Sequence, residues 1–201
     1  AIKLNLTGIH KISKERVLTE LIKILKLQNF NMISTNNELK TIFNLIFPEL
    51  KYLDRLKKIN KVNSKISMET DILLAILITD NTKNHEYFCH KYSPSKYIKE
   101  KLNFINKKYL DFQANNKFFN ENLKFHIYMY GKQNLHDLNI ISFFSNKKKS
   151  LDEFLSVKQK IEKLKIPKFP YDGKYLLSKG IPEGKQLGKV LKILEEEWIN
   201  N

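Results

Sequence analysis

Asp71-Ile72-Leu73-Leu74-Ala75-Ile76-Leu77-Ile78-Thr79-Asp80 holds the longest unbroken apolar run of the chain, closed at either end by an aspartate. Ile72 to Ile78 offers no polar position on any face, so it reads as a helix buried on all sides. It is far short of the roughly 20 residues that a membrane-spanning helix needs. A helix without a wet face must be surrounded, and the flanking sequence supplies amphipathic partners. Leu18, Leu21, Ile22 and Leu25 follow the i, i+3, i+4, i+7 spacing behind a cap at Ser13, with Glu15 in the first turn. Leu39, Ile42, Phe43 and Ile46 repeat it up to Pro48, whose ring and missing N–H end the ladder. Tyr52, Leu53, Leu56 and Ile59 mark a third helix.

Downstream, Ser93-Pro94 reads as a cap and first helical position. The helix that follows turns Ile98, Leu102, Ile105 and Tyr109 inward and Lys99, Lys101, Lys107 and Lys108 outward. Phe118 to Tyr130 and Leu135 to Phe144 read as two helices parted by Gly131. Ser150 and Glu153 form a capping box that opens a helix with Phe154, Ile161 and Leu164 inside. Asn-rich links near 60–65, 80–84 and 113–117 read as loops, and the break bracketed by Pro167 and Pro170 separates a short tail. Polar–apolar alternation over strand length is nearly absent, so the expected fold class is all-α.

The chain has 201 residues, enough for one core or a few small lobes. A hydrophobic content of 42% excludes a disordered chain. One cysteine, Cys89, excludes a disulfide framework and fits a reducing compartment. No charged-then-apolar leader opens the sequence, so a cytoplasmic location, away from membranes, is expected. Lys+Arg 36 against Asp+Glu 21 gives a formal charge of +15. Arg16 and Arg55 are the only arginines, so 34 of the 36 basic residues are lysines. Abundant Lys, Asn and Ile also match AT-rich codon drift, but a charge of this size raises affinity for polyanions whatever its origin.

The tail, Phe169-Pro170-Tyr171-Asp172-Gly173-Lys174-Tyr175-Leu176-Leu177-Ser178-Lys179-Gly180-Ile181-Pro182-Glu183-Gly184-Lys185-Gln186-Leu187-Gly188-Lys189-Val190-Leu191, holds four of the six glycines. Asp172 is placed to cap a short helix ending at Gly180, and Pro182 and Gly184 to open a second one reaching about Ile199. Gly184 and Gly188 lie one turn apart and leave a bare strip, open to a phosphate backbone or to another helix. Lys174, Lys179, Lys185 and Lys189 surround the two helix starts, where free N–H groups attract anions.

The tail pattern G-K-x-L-x-x-x-G-I-x-x-G-x-x-L-G-x-V-L resembles the C-terminal tail of bacterial class II tRNA nucleotidyltransferases, the CCA-adding enzymes and their poly(A) polymerase kin. Ile12-Ser13-Lys14-Glu15-Arg16-Val17, followed by Glu20-Leu21 and Lys23-Ile24-Leu25, is similar to the neck block of that family. Phe47-Pro48-Glu49-Leu50 is similar to the segment closing its next helix, and Tyr92-Ser93 to the start of a helix of its body. The resemblance covers about Thr7 to Asn201. It implies neck-like helices over 1–60, a helical body over 61–165 and a helical-hairpin tail over 166–201. It further implies that Ser13, Glu15, Arg16 and Glu20 steady the neck, while Gly173, Gly184, Gly188 and the four tail lysines meet RNA.

The family's catalytic head carries a Gly-Gly turn and an Asp-x-Asp pair for two Mg²⁺, and this sequence contains neither motif. The expected function is therefore the tRNA-binding portion of a nucleotidyltransferase, inactive alone, with Mg²⁺, CTP and ATP belonging to the missing head, encoded upstream or separately. The chain itself is expected to hold no cofactor, and its expected partners are tRNA or other structured RNA and a separate head. The alternatives are a non-enzymatic helical interaction module and a DNA-binding helical protein. On the residues alone, the Ser13–Arg16 block is an ordinary capped helix with an Arg–Glu surface pair. His85, Cys89 and His90 are metal-like in spacing, but no second cysteine completes a zinc set, and a half-buried thiol between histidines is the simpler reading. Asp71 and Asp80 lie too far apart along a helix to share a metal, and Asp71 reads as a cap. Lys147-Lys148-Lys149 reads as a solvated loop run.

Overall fold

The computed structural model describes Gly8 and residues 11–62, 68–115, 117–166 and 168–200. The break expected at Pro167 and the link residues 63–65 and 116 lie outside them. Nine α-helices and two 3₁₀ helices, with no strand, build the described residues. They are α1 (Lys14–Leu25), a short 3₁₀ turn (Phe30–Ser34), α2 (Asn37–Ile46), a long 3₁₀ helix (Leu53–Lys61), α3 (Thr70–Ile78), α4 (Asn84–Tyr92) and α5 (Lys96–Ala114). Then follow α6 (Leu123–Ser145), α7 (Leu151–Lys163), α8 (Gly173–Ser178) and α9 (Lys185–Asn200).

α3 is the hub: every residue from Asp71 to Ile78 is buried, and α1, α5, α6 and the long 3₁₀ helix pack around it. One apolar cluster runs from Leu18 to Ile161, so the core is continuous across position 60. Leu176 and Ile199, buried in the tail, stand outside that cluster. Phe47 leads the chain from α2 into the buried side of the core, where Glu49 receives Lys91 at 2.5 Å and the Tyr92 hydroxyl at 3.2 Å. No helix among the described residues is long and apolar enough to cross a membrane.

Local signals place most helix ends. The Ser13 side chain accepts from the Arg16 N–H at 3.3 Å. Ser150 and Glu153 close both bonds of the capping box, at 3.1 and 2.8 Å. Four segments depart from the sequence reading. Leu53, Leu56 and Ile59 belong to a 3₁₀ helix. Together with Val62 they are spaced by three throughout and all buried, which is the period of a three-residue turn. Ser93 does not start α5. It ends α4 in the left-handed conformation (φ 46), and Ser95 caps α5 by accepting from the Ile98 N–H at 3.4 Å. Residues 118–122 form a turn before α6, which begins at Leu123. Lys101 does not face outward; its side chain is 10% exposed and lies between two carboxylates.

α6 is two helical stretches joined at Gly131, whose φ of 77 and ψ of 156 are not helical. Only glycine occupies that region of backbone space comfortably. The part before the bend touches the tail, through Tyr128 against Trp198 at 5.7 Å. The part after it is the second buried rod, with Leu135, Leu138 and Ile141 fully enclosed.

Three imidazoles sit in this packing, and burial lowers the pKa of each. For His85 the neighbouring Glu86 and Asp80 oppose the shift, for His126 the Phe118 backbone does, and for His136 Glu162 does. His126 is stacked on Phe118 at 4.3 Å. A group depressed by folding contributes stability above its ordinary value and loses it as pH falls, because the unfolded chain takes up the proton first. The urea midpoint is therefore expected to fall between pH 7 and pH 5, through the ordinary histidine range near 6.5. A midpoint that stays level or rises would contradict this account of the three rings.

Candidate nucleic-acid interface

The tail folds as its punctuation dictates. The Asp172 carboxylate accepts from the Tyr175 N–H at 2.9 Å and starts α8. Gly180, at φ 85, ends it: its N–H donates to Leu177 and the Ile181 N–H to Leu176, the crossed pair of a left-handed helix terminus. Gly184, at φ 129, then turns the chain into α9. The hairpin closes over Leu176 and docks on α6 through Tyr128, which donates to Glu195. Burial and the Glu195 carboxylate push the Tyr128 hydroxyl up to about 12.

The three glycines of interest divide. A Cβ on Gly184 or Gly188 would meet nothing within 4 Å, so this strip faces open solvent. A Cβ on Gly173 would meet the Leu187 side chain at 3.4 Å, which makes Gly173 a contact point between α8 and α9. Lys174, Lys179, Lys185 and Lys189 are all exposed, and none has an ion-pair partner among the described residues. At about 100° per residue, Lys185, Lys189 and Lys192 share the side of α9 opposite Leu187, Leu191 and Leu194. Lys192 is partly neutralised by Glu196 at 3.9 Å, which leaves Lys185 and Lys189 as the open cations beside the bare strip.

Aromatic side chains add a feature that helical spacing concealed. Tyr171 and Tyr175 are 38% and 41% exposed, with ring centroids 4.7 Å apart. Lys179 lies 5.6 Å from the Tyr175 centroid, and Phe169 links the pair to Trp198. Spacing alone assigns such rings to a core. Their place in and just ahead of a six-residue helix, too short to cover them, was the available signal.

The neck block is simpler. Glu15 lies in the first turn of α1, and Glu20 pairs with Lys23 at 2.8 Å rather than with Arg16. Arg16 is exposed and has no ion-pair partner among the described residues. The half-buried guanidinium belongs to the other arginine. Arg55 donates to the Ile76 and Thr79 carbonyls, both at 2.8 Å, and lies 3.8 Å from the Tyr52 ring centroid. It thus satisfies the carboxyl end of α3.

The two aspartates that flank the apolar run are occupied by protein partners. Asp80 accepts from the Thr82 N–H at 2.7 Å and from the Tyr52 hydroxyl at 3.1 Å. Asp71 is not the cap of α3, a position held by Glu69. It accepts from the Ile72 N–H at 2.8 Å within the first turn and takes Lys101 at 2.8 Å. Among the described residues no three His, Cys, Asp or Glu side chains are grouped to hold a metal ion. Cys89 is buried, and burial raises its thiol pKa.

No family model, curated protein or solved structure matches the chain.

Proposed function

We propose that this chain is an RNA-binding module, the neck, body and tail portion of a CCA-adding or poly(A)-polymerase-like nucleotidyltransferase, and that its tail holds folded tRNA by shape and backbone charge. The reading is carried by the tail surface, where Lys185 and Lys189 stand beside a glycine strip that no side chain covers, with Lys174 and Lys179 also exposed and none of the four paired to an acid among the described residues. A-form RNA is mostly recognised through its backbone and outline, so lysines and close-approach positions suit it without base-specific groups. The half-exposed Tyr171 and Tyr175 offer faces on which an unpaired base can stack. The sequence has neither an Asp-x-Asp pair nor a Gly-Gly turn. Nucleotidyl transfer from CTP and ATP is therefore assigned to a head outside these residues, and the isolated chain is not expected to extend RNA.

The test is tRNA binding by the chain across a salt series, beside a variant with Lys174, Lys179, Lys185 and Lys189 all changed to Gln. Affinity is expected to fall steeply with salt, and the variant to bind at least tenfold more weakly. The slope of log affinity against log salt should flatten by about one unit for each phosphate that the variant no longer neutralises. Equal binding by the variant would remove the tail from the interface, and equal affinity for duplex DNA of the same length would replace the RNA reading. Incorporation of labelled CTP or ATP by the chain alone would refute the assignment of transfer to a head outside these residues.

A further inference from the structure

Away from the tail, α6, α7 and the turn around Phe119 line an open-mouthed cavity of about 660 Å³. Its volume is that of a small-molecule site. Phe112, Phe119 and Val157 supply apolar wall, and Lys149 enters from the loop between α6 and α7. The Lys149 amine donates to the Asn139 amide oxygen at 3.0 Å and to the Ser142 hydroxyl at 3.1 Å, and it lies 4.7 Å from the Phe119 ring centroid. Asn139 and Ser142 are buried, so their positions are set by the fold. Each of these partners is neutral. Lys91 and Lys101, by contrast, are held by carboxylates. Lys58 lies close enough to oppose a charge on Lys149, and it is itself tied to the Phe143 and Asn146 carbonyls. The nearest acid, Glu153, is engaged with the Ser150 N–H in the capping box. Asp152, Lys148 and Lys160 complete the charged lining.

We infer that Lys149 is the reactive amine of this protein, a site at which a small aldehyde admitted to the cavity condenses to an imine. The unprotonated nitrogen adds its lone pair to the carbonyl carbon. The carbinolamine then loses water, forming the C=N bond, with no oxidant or reductant required. Only the neutral amine attacks, and the surroundings favour it: burial, with Lys58 nearby and Glu153 opposing, lowers the Lys149 pKa to about 8. An ordinary lysine near 10.4 is neutral in about one molecule in 2,500 at pH 7, against about one in ten at a pKa of 8. This inference is independent of RNA binding.

The experiment treats the full chain with pyridoxal 5′-phosphate, traps imines with borohydride and maps the modified lysines by mass spectrometry. Lys147 and Lys148, exposed in the same loop, are internal references. At pH 7 Lys149 is expected to be modified at least tenfold faster than either, with its own rate reaching half-maximum near pH 8. The Lys149→Arg variant, which keeps the cation, should lose this fast phase alone. Lys149 modified no faster than its neighbours, or with a midpoint near that of ordinary lysines, would overturn the assignment. Both readouts come from the unaltered protein and do not depend on the variant folding.

Discussion

Replacing Lys101 with Met is expected to destabilise the protein by about 3–5 kcal/mol at pH 7, the usual loss when one partner of a buried ion pair is removed. Lys101 comes from α5 and meets Asp71 of α3 at 2.8 Å and Asp137 of α6 at 2.9 Å, so one cation ties three helices. The two contacts are unlike. That to Asp71 is a hydrogen bond, whereas Asp137 Oδ2 lies within ion-pair distance but off hydrogen-bond direction, its other oxygen being held by Gln133.

The carboxylates respond in opposite senses. Burial raises Asp137, and Asp71 adds to that by repulsion. Burial also pushes Asp71 up, but Lys101, Tyr97 and the Ile72 N–H outweigh it and leave Asp71 lowered. Burial disfavours the charge on Lys101, yet the two aspartates overcome that and raise its pKa. The Lys101 contribution is therefore intact at every pH below the ordinary lysine value and is lost only as pH rises through the folded one. The Asp71 contribution holds above the ordinary carboxylate value and is lost on acidification, whereas ionised Asp137 opposes folding and is relieved there. Without the cation both acids are raised, so the deficit of Lys101→Met should narrow between pH 7 and pH 5. Urea unfolding of both proteins at the two pH values measures it. A deficit under 1 kcal/mol, or one of constant size, would falsify this role.

Arg55→Ala is expected to remove about 2–4 kcal/mol, from two charge-assisted hydrogen bonds to carbonyls left without a donor. One nitrogen, Nη1, serves both Ile76 and Thr79 while the guanidinium plane lies against Tyr52 and Nη2 reaches the Tyr109 hydroxyl at 3.5 Å; an ammonium has no planar face for the ring and no second nitrogen for that hydroxyl. Arg55→Lys should therefore recover no more than half of the loss. Thermal unfolding measures the stability, and amide exchange around Thr79, whose N–H donates to Ala75, reports whether the end of α3 frays first. An alanine variant within 1 kcal/mol of the parent would mean that water satisfies those carbonyls.

Features whose cause is local were legible in the sequence. Ser13, Ser150 with Glu153, and Asp172 each cap the helix they precede, because the acceptor lies three residues from its donor. Ile72 to Ile78 announced its burial because no face of it could meet water. The long 3₁₀ helix was harder, since Leu53, Leu56 and Ile59 suit the first turns of either helix type and only Val62 extends the three-residue period. Ser93 and Ser95 are chemically equivalent caps, and the choice fell to backbone geometry at the end of α4.

Lys101 illustrates what sequence could not show. Its partners stand 30 and 36 positions away, and helical spacing placed it among outward lysines. Lys149 likewise sat in an ordinary-looking basic run, and its enclosure comes from Phe119, Asn139 and Ser142. In the tail, lysine and glycine positions were readable from spacing, but the separation of Gly173 from the open pair Gly184 and Gly188 required the packing of Leu187.

The bend in α6 matters to the whole molecule. A Cβ at Gly131 would meet nothing within 4 Å, so there is room for a side chain but no comfortable torsion for one. The stretch ahead of the bend bears Tyr128, the residue on which α9 leans. The bearing of the terminal hairpin relative to the enclosed rod is thus fixed by two dihedrals at one uncrowded residue. Sequence change there would re-aim the hairpin without altering a single group on its surface.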